Sequence, residues 1–376
     1  MPDPGSSRLP IPTAAEAPRH SRRRALAAGG LGVAGALAGS RASAGAQGAT
    51  PAAGSLLDGP LPDDGLAQEV VAAFGALPGT KGLKLWAPPD AGRPEWSAEI
   101  DPGRQMFVAS AFKAYALAAC LRREEDALDP TAAAPLAAQL GARLAQPLVL
   151  DEAVFSPDST VFNPPLLSGE VSLRTALEAM ISHSDNTATD MVLRHVGADR
   201  VQAFVDDIGL RQTRIPTSTR QFIGYIFGLP DWQATTWADT QADDPSRTPR
   251  PILNDAITMA SSPDDFASFY ARALQGAFFR YPETLTAFRA VLRLADAIPP
   301  SMPLGASAFG KGGAIAFNGA NALTFAGGVY VPDRWVSFAL LLNWADADVA
   351  PGANVQAAYV AAVRTIFAVV QQRLGA

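Results

Sequence analysis

A chain of 376 residues that is 48% hydrophobic and 18% charged is apolar enough to fill a sizeable core, and long enough for one large domain or two small ones. Its net charge of −6, with no basic stripe, argues against nucleic-acid binding. One cysteine, Cys120, excludes an intrachain disulfide framework, and only three histidines argue against a histidine-rich metal site. No cofactor and no metal are expected.

The N-terminus reads as an export signal. His20-Ser21-Arg22-Arg23-Arg24 precedes an Ala/Gly/Leu/Val run that ends near Ala38, and Ala42-Ser43-Ala44 and Ala44-Gly45-Ala46 both suit signal peptidase. The arginines after a serine resemble a twin-arginine signal, with Ala25 where that motif prefers Phe. A membrane anchor is the alternative, but the run is short and glycine-rich for a span. Residues 1–46 are therefore read as a signal peptide and 47–63 as a flexible linker. The leader holds six arginines against Asp3 and Glu16, so its removal takes the net charge from −6 to −10.

From residue 64 the pattern is globular. Leu66, Val70, Val71 and Phe74 have helical spacing, ended by Pro78-Gly79. Lys81–Trp86 and Glu95–Ile100 read as an antiparallel hairpin. A helix from Ser110 through Leu121 follows, then mixed helix and loop over 122–170. Ser172 is placed to cap a helix whose stripe is Leu173, Leu177, Met180 and Ile181. That helix stops at Ser182–Asn186, and the next runs from Thr187 to Val196. The aromatic insert at 221–237 reads equally as a lid, an acyl pocket or ordinary packing. Ser262-Pro263 opens a helix through Leu274. Ser307–Ala316, Leu323–Tyr330 and Trp335–Leu342 read as strands, and Val355 to Val370 as a long terminal helix. The order predicts an α/β (α+β) fold: a mostly antiparallel five-stranded sheet flanked by helices, with an all-helical subdomain inserted.

Ser110-Ala111-Phe112-Lys113 carries the chemistry. A serine and a lysine three residues apart share a helix face. The lysine can accept the serine proton if burial or a second cation lowers its pKa. S-x-x-K alone is a weak signal. Two further motifs follow it in order: Ser184-Asp185-Asn186 between helices and Lys311-Gly312-Gly313 on a strand. Together, S-x-x-K, S-D-N and a K-T-G-like triplet resemble class A β-lactamases and penicillin-binding proteins. The segment Leu177 to Asp190 and the turn Ile208-Gly209-Leu210 extend the resemblance, which covers about residues 64–376.

The resemblance implies a β-lactamase/DD-peptidase-like domain with catalytic Ser110, Lys113, Ser184 and Lys311. Ser184 would bridge the two lysines. Asn186 would bind the substrate amide, with Gly313 and Ala314 beside it, and the N–H groups of Ser110 and Ala314 would form the oxyanion hole. Asp185 would be structural. Two departures stand out. Gly312 replaces the hydroxyl residue of the third motif, and no arginine lies along Asn318–Tyr330 to hold a carboxylate. The family's Glu-Pro-x-Leu-Asn pattern resembles Arg250-Pro251-Ile252-Leu253-Asn254, which would put Arg250 in the deacylating glutamate's place; Asp243, Asp244 or Asp255 could then substitute.

The implied partner is a small molecule: a β-lactam, a peptide or an ester. An exported monomer, periplasmic or secreted, with no membrane span after signal cleavage, is expected. A DD-peptidase or esterase using the same serine, or a penicillin- or peptidoglycan-binding protein with little turnover, are the alternatives. Gly305-x-x-x-x-Gly310-Lys311 is nearly a P-loop but lacks the Ser/Thr and leads into strand-like residues. Gly30-x-Gly32-x-x-Gly35 matches a dinucleotide fingerprint but lies in the signal and follows no strand.

Overall fold

The computed structural model describes residues 64–90, 92–331 and 334–374. The expected signal peptide and linker lie outside the described residues. The first helix, α1 (Asp64–Gly75), leads into β1 (Thr80–Ala87) and β2 (Trp96–Ile100), and then a short β3 (Met106–Phe107). A 3₁₀ turn over Ala109–Phe112 feeds α2 (Lys113–Glu125). The inserted block comprises α3 (Leu136–Leu144), β4 (Pro147–Leu150), β5 (Gly169–Ser172), α4 (Leu173–Ser182), α5 (Asn186–Val196), α6 (Ala198–Asp207), α7 (Thr219–Ile226) and α8 (Trp237–Gln241). The chain returns through β6 (Ala260–Ser261), α9 (Pro263–Ala273) and α10 (Pro282–Leu292). It finishes with β7 (Ser307–Phe317), β8 (Ala320–Val331), β9 (Arg334–Ala345) and α11 (Val355–Leu374).

The five-stranded sheet has the order β2-β1-β9-β8-β7, and every neighbouring pair is antiparallel. The apolar runs explain which strands are central. Val336 to Leu342 of β9 are buried without a break, so both faces of that strand are covered. On one face Phe325 and Phe338 meet Phe367 of α11, and Tyr359 donates to the Leu340 carbonyl at 2.8 Å. On the other lie α9 and the helical block. The β7–β8 hairpin turns on Asn318-Gly319, both at positive φ (48° and 78°), the pair that a tight two-residue turn demands.

The helix α2 is apolar on all sides. Residues 113 to 121 are all buried, which suits a helix wedged between the sheet and the inserted block. Its alanines permit close approach, and Tyr115 stacks on Phe266 of α9 with ring centroids 5.1 Å apart. The sequence predicts that Ser110 opens this helix. The structure instead places Ser110 inside the 3₁₀ turn, and the α-helix begins at Lys113. Ala109, the first residue of that turn, is held at φ 46°, so the chain enters it from the left-handed region and not through a regular helix start.

Candidate active site

The approach to Ser110 is anchored on the central sheet. Asn343 of β9 accepts from Phe107 N at 3.0 Å and donates to Phe107 O at 2.9 Å. Its carboxamide thus mimics a strand partner for β3. Val108 N donates to Met259 O at 2.9 Å, fixing the next residue. Edge strand β7 then passes directly over the turn. A Cβ on Gly313 would lie 2.3 Å from Val108 O and 2.9 Å from Ser110 N, so only glycine fits.

Lys113, one turn after Ser110, points into the interior. Its Nζ donates to Ser184 O at 2.5 Å, Asn186 Oδ1 at 2.7 Å and Ser184 Oγ at 3.3 Å. Burial holds its ammonium well below the ordinary value, and the like charge of Lys311 adds to this, while Asp185, Asp190 and Asp158 oppose. Burial likewise lowers Lys311 to about 8, against the charge of Asp296. Lys311 Nζ donates to Gly312 O at 2.9 Å. The expected bridge by Ser184 is therefore made to Lys113, while Lys311 bonds its own strand.

Ser184 sits at φ 59°, a backbone region serine rarely adopts, at the junction of α4 and α5. Asp185 holds that junction. Its Oδ2 accepts from Val161 N at 2.9 Å and Phe162 N at 3.0 Å, and its Oδ1 from Ala188 N at 2.8 Å. Replacing Asp185 with alanine leaves three backbone N–H groups without their acceptor and is expected to cost about 3 kcal/mol, read by denaturant unfolding. Asn186 is engaged at both ends, since its Nδ2 donates to Pro157 O at 2.8 Å.

Ser110, Ser184, Asn186, Lys311, Gly313 and Ala314 all line one cavity of about 220 Å³. Lys113 reaches the rim of this space through Ser184 and Asn186. The pocket continues along β7, past Gly312 and Ala314, whose small side chains leave room beside the strand. Phe222 and Ile223 of α7 form an apolar wall, and Phe222 stacks on Phe107 with centroids 5.5 Å apart. The rest of the aromatic insert packs on its surroundings: Trp232 meets Tyr225, Trp237 meets Phe155 and Phe227 meets Phe317. That insert is part wall and part packing.

Arg250 is a correction. It does not line the cavity; its guanidinium lies 4.9 Å from the Tyr225 ring centroid, and its backbone N–H donates to Ile226 O. The helices α7 and α8 intervene before residue 250, and α7 with its first residue brings Thr219, Phe222 and Ile223 to the wall of the site instead. The aspartates offered as substitutes, Asp243, Asp244 and Asp255, also lie off the cavity lining. The carboxylates that do line it, Asp158 and Asp296, belong to no motif and were not singled out by the sequence.

Among curated proteins none matches the chain. Solved structures do. The TLA-3 extended-spectrum β-lactamase superposes with a TM-score of 0.62 at 13% identity, over 84% of this chain and 100% of that one. A β-lactamase from Sphaerobacter thermophilus DSM 20745 gives 0.58 at 22% identity, over 84% and 98%. The structure of PBP-A gives 0.57 at 19%, over 82% and 96%. These likenesses establish the fold. A family model described as the beta-lactamase enzyme family matches residues 85–340, more than half of the sequence, and spans both Ser110 and Lys311. The chain therefore belongs to the beta-lactamase enzyme family.

Proposed function

We propose that this protein is an exported serine hydrolase of the class A β-lactamase type, whose Ser110 is acylated by a β-lactam or a related amide or ester. One observation carries the reading: a buried lysine of lowered pKa, one turn from a cavity-lining serine, with its nitrogen on Ser184 and Asn186. Lys113 takes the Ser110 proton as the hydroxyl attacks the carbonyl. Ser184 returns a proton to the leaving nitrogen or oxygen. The N–H groups of Ser110 and Ala314 receive the developing oxyanion. The apolar wall at Phe222 and Ile223 suits an apolar acyl group.

Lys311 is the cation available to a substrate carboxylate, given Gly312 beside it and Thr324 on the facing strand, where neither supplies a second charge. In a Ser110→Ala variant, affinity for a penicillin is expected to fall as pH rises through about 8. There Lys311 passes from its charged to its neutral form. Calorimetric titration across that range checks it, and affinity that is flat with pH removes Lys311 from carboxylate recognition.

The second reading, a penicillin-binding protein with little turnover, is favoured by the likeness to PBP-A. A mutant of that protein was solved as an acyl-enzyme complex with penicillin-G. Intact-mass measurement after mixing with penicillin separates the possibilities. A transient adduct on Ser110 marks a hydrolase, and a persistent one marks the binding protein. Neither adduct nor hydrolysis, with a short-chain ester also left intact, rejects an acylated serine.

A further inference from the structure

Three carboxylates act electrostatically on Lys113: Asp185, Asp190 and Asp158. Two of them are committed to the backbone. Asp185 holds the junction before α5, as described above. Asp190 holds the opening of α7: its Oδ1 accepts from Thr219 N at 2.6 Å and Thr219 Oγ1 at 2.8 Å, and its Oδ2 from Arg220 N at 3.1 Å. The third is different. Among the described residues the Asp158 side chain has no hydrogen-bond partner, and it lines the cavity together with Ser110, Ser184 and Lys311.

The chain holds Asp158 there firmly. On one side Ser156 N donates to Thr187 Oγ1 at 3.0 Å, and Pro157 O accepts from Asn186 at 2.8 Å. On the other, Ser159 Oγ donates to Ser156 O and accepts from Thr187 N, both at 2.7 Å. Between these clamps Asp158 adopts φ 58°. The segment is thus fastened to α5, the helix that also presents Asn186 to Lys113. The other carboxylate of the cavity, Asp296, bears on Lys311 and is not among the charges acting on Lys113. Among the described residues, of the three acids acting on Lys113 only Asp158 combines an unpartnered carboxylate with access to the cavity.

We propose that Asp158 is the base that activates the water hydrolysing acyl-Ser110. The proposal rests on the reading of Ser110 as the acylated residue. The Asp158 carboxylate removes a proton from water as the water oxygen bonds to the acyl carbonyl carbon, and the carbonyl electron pair moves to its oxygen. The tetrahedral species collapses, the bond from carbon to the Ser110 oxygen breaks, and that oxygen takes back the proton from the Asp158 carboxyl group. The products are a carboxylic acid and free Ser110. Burial raises the Asp158 carboxyl above the ordinary range, which strengthens it as a base, and Lys113 opposes that rise.

The test compares wild type, Asp158→Asn and Asp296→Asn by rapid-quench intact mass with a penicillin. Asparagine tolerates the left-handed backbone, so the fold should persist, and the rate of adduct formation reports it. Expected for Asp158→Asn is adduct formation within about threefold of wild type and adduct decay slowed by about 10²-fold or more. Asp296→Asn should decay as wild type does. Unchanged decay in Asp158→Asn, or slow decay confined to Asp296→Asn, overturns the assignment. A wild-type adduct that never decays also overturns it, because no base is then at work. Absence of any adduct or hydrolysis on the wild type rejects the acyl-serine reading itself, and the assignment falls with it.

Discussion

Replacing Lys113 with methionine is expected to slow acylation of Ser110 by about 10³-fold while leaving thermal stability unchanged or raised. The two effects come from one fact. The Lys113 side chain is fully buried, and burial is the largest influence lowering its pKa. A buried ammonium is costly, so an apolar side chain of similar length removes a desolvation penalty. The acceptors it leaves, Ser184 O, Ser184 Oγ and Asn186 Oδ1, belong to residues that line the cavity, where water can replace the lost donor. The rate falls because the group one turn from Ser110, the one best placed to take the serine proton, is gone. Stopped-flow acylation and a melting curve on the same sample check both parts. If acylation persists within about tenfold, Lys113 is not the base.

Gly313→Ala is expected to damage both fold and activity, whereas Gly312→Ala, one residue earlier, should be mild. The Gly313 methyl would meet backbone atoms of Val108, Ser110 and Ala111 at 2.3–2.9 Å. Backbone cannot turn aside as a side chain can, so β7 must move away from the Ser110 turn. Overpacking of this kind costs about 1–3 kcal/mol. The displacement also separates the N–H of Ala314 from that of Ser110, the two groups proposed to receive the oxyanion, and losing one such donor costs about 10²–10³-fold in rate. The Gly312 methyl would meet the Ala297 methyl at 3.2 Å, a contact that a shift of a few tenths of an ångström in the loop carrying Ala297 relieves. Melting temperature and acylation rate of the two variants give the comparison. Equal behaviour would show that the strand does not bear on the turn.

The five strands were legible because each carries an apolar run or alternation that burial in a sheet requires; the structure puts Leu83, Leu85 and Val336 to Leu342 in the core. Caps were legible for the same local reason: Ser172 accepts from Thr175 N at 3.0 Å and Ser262 from Asp265 N at 3.1 Å. What escaped depended on distant contacts. Nothing local in Val108-Ala109-Ser110 signals a left-handed alanine, since the conformation is imposed by β3 and β7 on either side. The helix α10 was missed between two better-marked elements. Arg250 was misplaced because a short similarity of five residues carried no information about the two helices before it. Asp158 lies in no motif, and its proximity to Lys113 arises only when the segment 156–159 folds onto α5.

The carboxamide of Asn343 has a consequence for how the site breathes. It ties the residues before Ser110 to β9, the central strand of the sheet, while Gly313 and Ala314 sit on β7, an edge strand. Local opening in a sheet begins at its edges and is rarest at its centre. One wall of the cavity can therefore loosen to admit or release a ligand while the serine keeps its position. Amide exchange should register this as fast exchange along β7 and slow exchange at Phe107, within residues that face the same cavity.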